Sequence, residues 1–381
     1  MSLKNIIKKI IEVPVNFIFN LFPINENMIF FETGVGEVKD NPKFIYDYLK
    51  KHYNDKYKLR WAVRKGANTH GLENEEIVYK NTLKYYYILK TSKYWIRSHS
   101  IESIFKKRKD QRYIQLWHGP GATKKEGFDI LEEKTTEVIP HAKEWEYYIA
   151  TDEDSYNYIV TSTHTKAERV LLGNIRSDIL VNNYDEEKRK KIRESLGIKE
   201  NEKAILYAPT FREEDFNREK INLPIKKIAA LKGYKFILRV HPEVKKRCDL
   251  SEYPKDIIDG NKYDDIFDLY IASDMLITDY SSVAIEYSIL KKPIIFYMYD
   301  LEEYLVERDF YFNYLDNLGG PMVKTEDEVI DTVLNIDKIM EEMKDKVEKY
   351  YLKYNKFNDG KVSERFCKKL NEGFFDRRII D

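Results

Sequence analysis

The sequence predicts an α/β protein made of two successive doubly wound units, on three observations. Short runs rich in β-branched and aromatic residues alternate with segments of helical periodicity, which implies parallel sheet joined by crossover helices. The alternation begins again after the charged stretch DEEKRKKIRESLG, residues 185–197. A chain of 381 residues also exceeds what one ordinary core holds, so two domains are expected.

The first segment, MSLKNIIKKIIEVPVNFIFNLFP, carries Leu3, Ile6, Ile7, Ile10 and Ile11 at helical spacing, with Lys4, Lys8 and Lys9 mostly on the other side. Such a basic amphipathic helix either lies in a membrane interface or packs on the protein's own core, and both readings stand. No run reaches the roughly 18 apolar residues of a spanning helix. No small-residue site follows that would mark a cleaved signal peptide.

In the first unit the strands are expected at residues 28–34, 59–66, 93–99, 112–119 and 146–151, with PKFIYDYLKKHY (42–53) as a helix. In the second they are expected at 203–210, 235–242, 275–282 and 293–300, and the tail from Asp327 is helical. The domain plan is a helix over 1–25, an N-terminal domain over 26–182, a linker helix over 183–200 and a C-terminal domain over 201–350. A C-terminal helix over 351–381 completes it, with a return to the N-terminal domain as one option.

Composition narrows the function. Basic and acidic side chains number 65 each, so no global field favours nucleic acid, and any anion site must be local. Aromatics at 14%, including 30 tyrosines, exclude a disordered polymer. Cys248 and Cys367 suit a reducing compartment and give neither a disulfide framework nor zinc spacing. The acidic cluster TDEDSY (151–156) is better explained as a capped helix start than as a metal site, and no metal is expected.

The residues that can carry chemistry fall where strands end, which is where ligands of doubly wound sheets bind. In LITDYSSVAIEY a strand stops at Asp279, and Ser281 and Ser282 precede a helix whose main-chain N–H groups can hold a phosphate or simply be capped. Glu286, on the first turns, can meet ribose hydroxyls or water. In RVHPEV, proline ends the ladder and leaves His241 at a strand end, beside Arg239. That histidine can stabilise a diphosphate or satisfy loop carbonyls. Arg212, in LYAPTFRE, can reach a phosphate or make a salt bridge. In QLWHGPGATKKEG, His118 ends a strand and meets a Gly119-Pro120-Gly121 turn, with Lys124 and Lys125 beyond it. An imidazole there suits a general base near neutral pH. His141 can assist it or be structural.

Taken in order, GEVKDNPKFIYDYL, WHG with KKEGFD, LLGNIRSDIL, LYAPTFR, RVHP, ITDYSS, and KKPIIFYMYDLEEYLVERDFYF followed by GGP resemble the CDP-glycerol glycerophosphotransferase family, the teichoic-acid primases and polymerases of the TagB/TagF type. The resemblance implies a GT-B architecture, two Rossmann-like domains with a central cleft. It implies a CDP-alditol donor held mainly by the C-terminal domain and a lipid-linked or polymeric acceptor approached from the N-terminal one. By the same resemblance His118 is the base, His241 stabilises the diphosphate, and Arg212, Ser281 and Ser282 take donor-phosphate positions, with Glu286, Arg239 and Arg308 nearby. CMP would leave as the acceptor hydroxyl attacks the β-phosphorus, with no cofactor, at the cytoplasmic face of the cell membrane. Oligomeric state stays open, a homo-oligomer included.

Three departures from the family pattern stand out: the extra residue in GPGAT, Glu286 where aspartate is usual, and Asp309 where glycine is usual. Two other functions remain open, a nucleotide-sugar glycosyltransferase on the same fold and a non-catalytic, membrane-associated nucleotide-binding module.

Overall fold

A computed structural model gives the structure of the chain and describes residues 17–34, 36–99, 106–120, 123–130, 139, 142–182, 184–210, 212, 223–241, 254–263, 265–307, 309–312 and 314–377. The chain divides into two compact units. The first comprises 1–119, 126–176 and 361–381; the second comprises 120–125 and 177–360.

The first unit holds a seven-stranded sheet: β1 (Asn25–Glu32), β2 (Lys58–Val63), β3 (Ile77–Tyr79), β4 (Ser92–Arg97), β5 (Arg112–Gln115), β6 (Tyr147–Ala150) and β7 (Glu168–Leu171). Its spatial order is β3-β2-β1-β4-β5-β6-β7, and every pair is parallel. Side chains alternate between two buried faces: Ile29 and Phe31 join one apolar cluster, Met28 and Phe30 the other. Burial on both faces explains why the central strands have near-continuous apolar sequences. Helix Asp40–His52 buries Ile45, Tyr46 and Leu49 on one of these faces, beside Val362, Phe366 and Leu370 of helix Val362–Asn371.

The second unit holds a six-stranded parallel sheet: β8 (Lys203–Tyr207), β9 (Tyr234–Leu238), β10 (Ile258–Asp259), β11 (Met275–Thr278), β12 (Ile294–Tyr297) and β13 (Met322–Val323), in the order β10-β9-β8-β11-β12-β13. Both sheets thus run outward in two directions from their first strand. The order reverses between β1 and β4 in one and between β8 and β11 in the other. Such a reversal opens a crevice at the carboxyl ends of the two strands.

All nine expected strands are present. The four not anticipated, β3, β7, β10 and β13, are the outermost strands of the two sheets. The helical tail is broken into Glu326–Leu334, Ile336–Glu342, Lys344–Asn355 and Val362–Asn371. The TDEDSY segment is a capped helix start: Asp152 accepts from the N–H groups of Asp154 and Ser155, at 3.1 and 2.9 Å. Residues 1–16 of the N-terminal segment lie outside the described residues. In the rest of that segment, Phe19 and Phe22 pack on Tyr87, while Phe17 and Leu21 are exposed at 70% and 73%. Among the described residues, no helix is long and apolar enough to cross a membrane.

Candidate active site

In the first unit the chain leaves β5 through Leu116, Trp117 and His118. Trp117 has φ of +56°, a left-handed conformation that costs a non-glycine residue on the order of 1 kcal/mol. Its surroundings hold it there. Its N–H donates to Gln115 Oε1 at 3.0 Å, and Asn41 Nδ2 donates to the carbonyls of Leu116 and Trp117, at 3.2 and 3.0 Å. Asn41 is fixed in turn by the Arg176 N–H, which donates to its Oδ1 at 3.0 Å, while the Arg176 guanidinium pairs with Asp40 at 3.2 Å. Three motifs distant in sequence, KDNP, LWHG and GNIRS, therefore meet at one strand end.

The turn presents His118 exposed to solvent. Its ring stacks on His99, with centroids 4.7 Å apart and planes 18° from parallel, and lies 4.7 Å from the Trp117 ring. His99 follows β4, so the pair sits beside the β1/β4 crevice. Burial, and after it the neighbouring His118, push His99 down to about 4; Arg97 and Lys39 act the same way and Asp40 opposes them. At neutral pH its ring is uncharged.

Beyond half-buried Gly119 and buried Pro120, the chain pairs with a second loop of the second unit. Lys124 forms an antiparallel bridge with Phe310, and Lys125 forms an ion pair with Asp309.

In the second unit, Arg212 follows β8 and is buried. Asp300 grips it with both carboxylate oxygens, to Nε at 2.6 Å and Nη2 at 2.9 Å. Asp279 lies 3.0 Å from Nη2, and Nη1 donates to the Thr210 carbonyl at 2.7 Å. Tyr280, Tyr299 and Tyr304 surround the guanidinium at 5.1–5.6 Å. Burial opposes its charge, but Asp279 and Asp300 outweigh it and raise its pKa above the usual arginine value. The ion pair that Arg212 makes is buried, not on the surface.

Asp279 shapes the turn after β11: its Oδ1 accepts from the N–H groups of Thr210 and Tyr280, at 2.9 and 2.6 Å. Ser281 Oγ accepts from the Val283 N–H at 3.4 Å. Ser282 makes no side-chain cap bond, because its backbone is already helical where a capping serine would be extended. The helix after it spans only Val283–Tyr287 before tightening at Ser288–Leu290, so its dipole is short. Glu286 is 1% exposed and accepts from the Tyr270 hydroxyl at 3.2 Å.

Arg239 donates through Nη1 to the carbonyls of Gly260, at 2.7 Å, and Tyr263, so it pins the turn after β10. His241, just past β9, is exposed. His141 and Arg308 lie outside the described residues.

A family model described as CDP-glycerol:poly(glycerophosphate) glycerophosphotransferase matches residues 15–372. The chain belongs to this family. It is 33% identical to a teichoic acid glycerol-phosphate transferase of Staphylococcus aureus, over 97% of this chain and 99% of that one. It is 34% identical to a teichoic acid poly(glycerol phosphate) polymerase of Bacillus spizizenii, over 83% and 85%. Among solved structures it resembles the wall teichoic acid polymerase TagF, with a TM-score of 0.84 and 26% identity over 98% of each chain. A UDP-GlcNAc 2-epimerase from Neisseria meningitidis, 13% identical with a TM-score of 0.55 over 91% of this chain and 99% of that one, shares the fold alone.

For this glycerophosphotransferase, sequence reasoning singled out His118 but passed over its supports. His99 falls in the expected strand 93–99, and Asn41 and Asp300 in segments that carry the family resemblance, yet none of the three has a role in that reading. A signal existed for His99, the first imidazole beyond a fully buried strand at its carboxyl end. Nothing local marked Asn41 or Asp300, whose partners are 76 and 88 residues away.

Proposed function

We propose that this chain transfers a polyol phosphate, glycerol phosphate or ribitol phosphate, from a CDP-alditol to a lipid-linked or polymeric teichoic-acid-type acceptor, releasing CMP. The observation that carries the reading is the near end-to-end likeness to a glycerol-phosphate transferase. His118, exposed on a fixed turn, serves as the base. It takes the acceptor hydroxyl's proton as oxygen bonds to the β-phosphorus, and the bridging oxygen leaves on CMP. His241 and the main-chain N–H groups after Ser281 and Ser282 are assigned to the diphosphate, since phosphoryl transfer depends chiefly on alignment and charge stabilisation. Arg212 acts one step back, holding Asp279 and Asp300 so that the turn carrying the two serines keeps its shape. Glu286 anchors the following helix through Tyr270.

The reading includes the GT-B class, a peripheral position at the cytoplasmic membrane face and no metal cofactor. Exposed Phe17, Ile18 and Leu21 support the membrane part. Separate incubations with CDP-glycerol, CDP-ribitol and a UDP-sugar, each with a lipid-linked oligo(glycerol phosphate), test the activity. CMP release from a CDP-alditol is expected and should survive EDTA. UDP release alone would overturn the reading in favour of a glycosyltransferase, and no turnover in favour of a binding module.

A further inference from the structure

We infer that His99 is a positioning residue for His118, its imidazole forming a fixed platform on which the base's ring rests. The inference rests on the reading of His118 as the base. An exposed histidine samples several rotamers, and ordering such a side chain has an entropic cost. Here the ordering is prepaid by the stacking, at 4.7 Å and 18° from parallel.

The platform is itself held from four directions. Ser98 Oγ lies 3.0 Å from His99 Nδ1, and the Tyr113 hydroxyl donates to the His99 carbonyl at 3.3 Å. Beneath the ring runs Gly34, where a Cβ would come within 2.6 Å of His99 Cγ. On the remaining side lies His118. The glycine at 34 is thus required by close approach to the His99 side chain, since its φ is not in the left-handed region.

Charge gives the platform its second property. The groups facing His99 are His118 from the β5 turn, Asp40 and Lys39 at the start of helix Asp40–His52, and Arg97 from the end of β4. Three of the four are cationic or become so, and with burial they keep His99 neutral. A neutral π face attracts the imidazolium that forms when His118 takes a proton, whereas a protonated His99 would repel it.

Steady-state kinetics on the full chain, with CDP-glycerol and a lipid-linked oligo(glycerol phosphate), test the inference. His99→Asn removes the ring and keeps a polar group for Ser98. It is expected to lower kcat ~10-fold or more with KM for CDP-glycerol within about 2-fold, because only the alignment of the base is lost. His99→Phe restores a ring that cannot titrate and should recover most of kcat. Ser98→Ala, a milder change, should lower kcat by a few-fold, about 3, without moving KM. Circular-dichroism melts establish that each variant folds. Wild-type kcat in His99→Asn, or a rise in KM with kcat intact, would overturn the positioning role. His118→Asn separates the two claims: turnover surviving it overturns the base assignment, while an inactive His118→Asn beside a fully active His99→Asn overturns the positioning role alone.

Discussion

The Lys125 ammonium pairs with the Asp309 carboxylate beside a main-chain bridge in which the Lys125 N–H donates to the Asp309 carbonyl at 2.9 Å and the Tyr311 N–H donates to the Thr123 carbonyl at 3.1 Å. Two departures from the family pattern, the lengthened GPGAT turn and the aspartate at 309, thus belong to one contact. The side chains are 34% and 59% exposed, so the ion pair itself stabilises little. A double-mutant cycle of Lys125→Met and Asp309→Asn by urea denaturation should give a coupling below about 1 kcal/mol. The main-chain bridge carries the rest, and a coupling above roughly 2 kcal/mol would show a shielded pair instead.

Arg212 and Asp300 should behave in the opposite way. The guanidinium is buried and gripped by both oxygens of Asp300, so removing Arg212 strands the carboxylates of Asp279 and Asp300, while removing Asp300 leaves the guanidinium with Asp279 alone. Arg212→Ala is expected to cost about 3–5 kcal/mol in urea denaturation, and Asp300→Ala less, about 1–3 kcal/mol, since Asp279 still pairs with the guanidinium. Arg212→Lys should recover only part, because an ammonium cannot reproduce the two-pronged contact. Were Arg212 instead a direct phosphate ligand, Arg212→Ala would raise KM for CDP-glycerol and leave stability near wild type.

The contrast shows what the sequence could and could not disclose. Central strands announced themselves because both faces of a parallel sheet are buried, as in Phe30 and Phe31. The edge strands did not, because Ile258–Asp259 and Met322–Val323 pair on one side only and need no apolar run. The same holds for the site. His118 stands out by residue type and by the turn after it. The inward turn of Glu286 toward Tyr270 and the capture of Arg212 depend on side chains far away in sequence, which no local pattern encodes.

Asn41 is expected to matter for catalysis more than its distance from any reacting atom suggests. It donates to two carbonyls of the strained Trp117 turn and accepts from Arg176. Asn41→Ala leaves those groups unsatisfied in a buried setting, at a cost of about 1–3 kcal/mol. Freed from Asn41, the turn should relax and carry His118 with it. We expect kcat to fall ~10-fold or more, with stability lowered as stated. Asn41→Asp, which keeps the acceptor for Arg176 but loses the donor, should fall between wild type and alanine by both assays.

The exposed side chains at the end of the N-terminal segment give a separable prediction. Phe17 and Leu21 face solvent, whereas Phe19 and Phe22 pack on Tyr87. In flotation with vesicles containing anionic lipid, deletion of residues 1–20, or Phe17→Glu with Leu21→Glu, should reduce bound protein several-fold. CDP-glycerol binding by calorimetry should stay unchanged. Equal flotation of the deleted form would assign the segment to the protein's own core.

His99 predicts how stability responds to acid. Burial and its cationic neighbours push it down to about 4, below the usual histidine value of roughly 6.5. Above pH 6.5 the ring is neutral in both folded and unfolded chains and contributes no pH dependence. Between about 6.5 and 4 the unfolded chain binds a proton that the folded chain refuses, so stability falls as pH falls, by at most ~1.4 kcal/mol per pH unit. Below about 4 both states are protonated and the contribution levels off. Carboxylates titrate in the same window, so the readout is the difference between wild type and His99→Asn, which has no titrating ring. Urea denaturation from pH 7 to pH 4 should show the wild type losing roughly 2 kcal/mol relative to the variant, after allowance for solvent screening. A constant difference across that range would mean that His99 titrates normally in the fold and becomes charged beside His118 in mild acid.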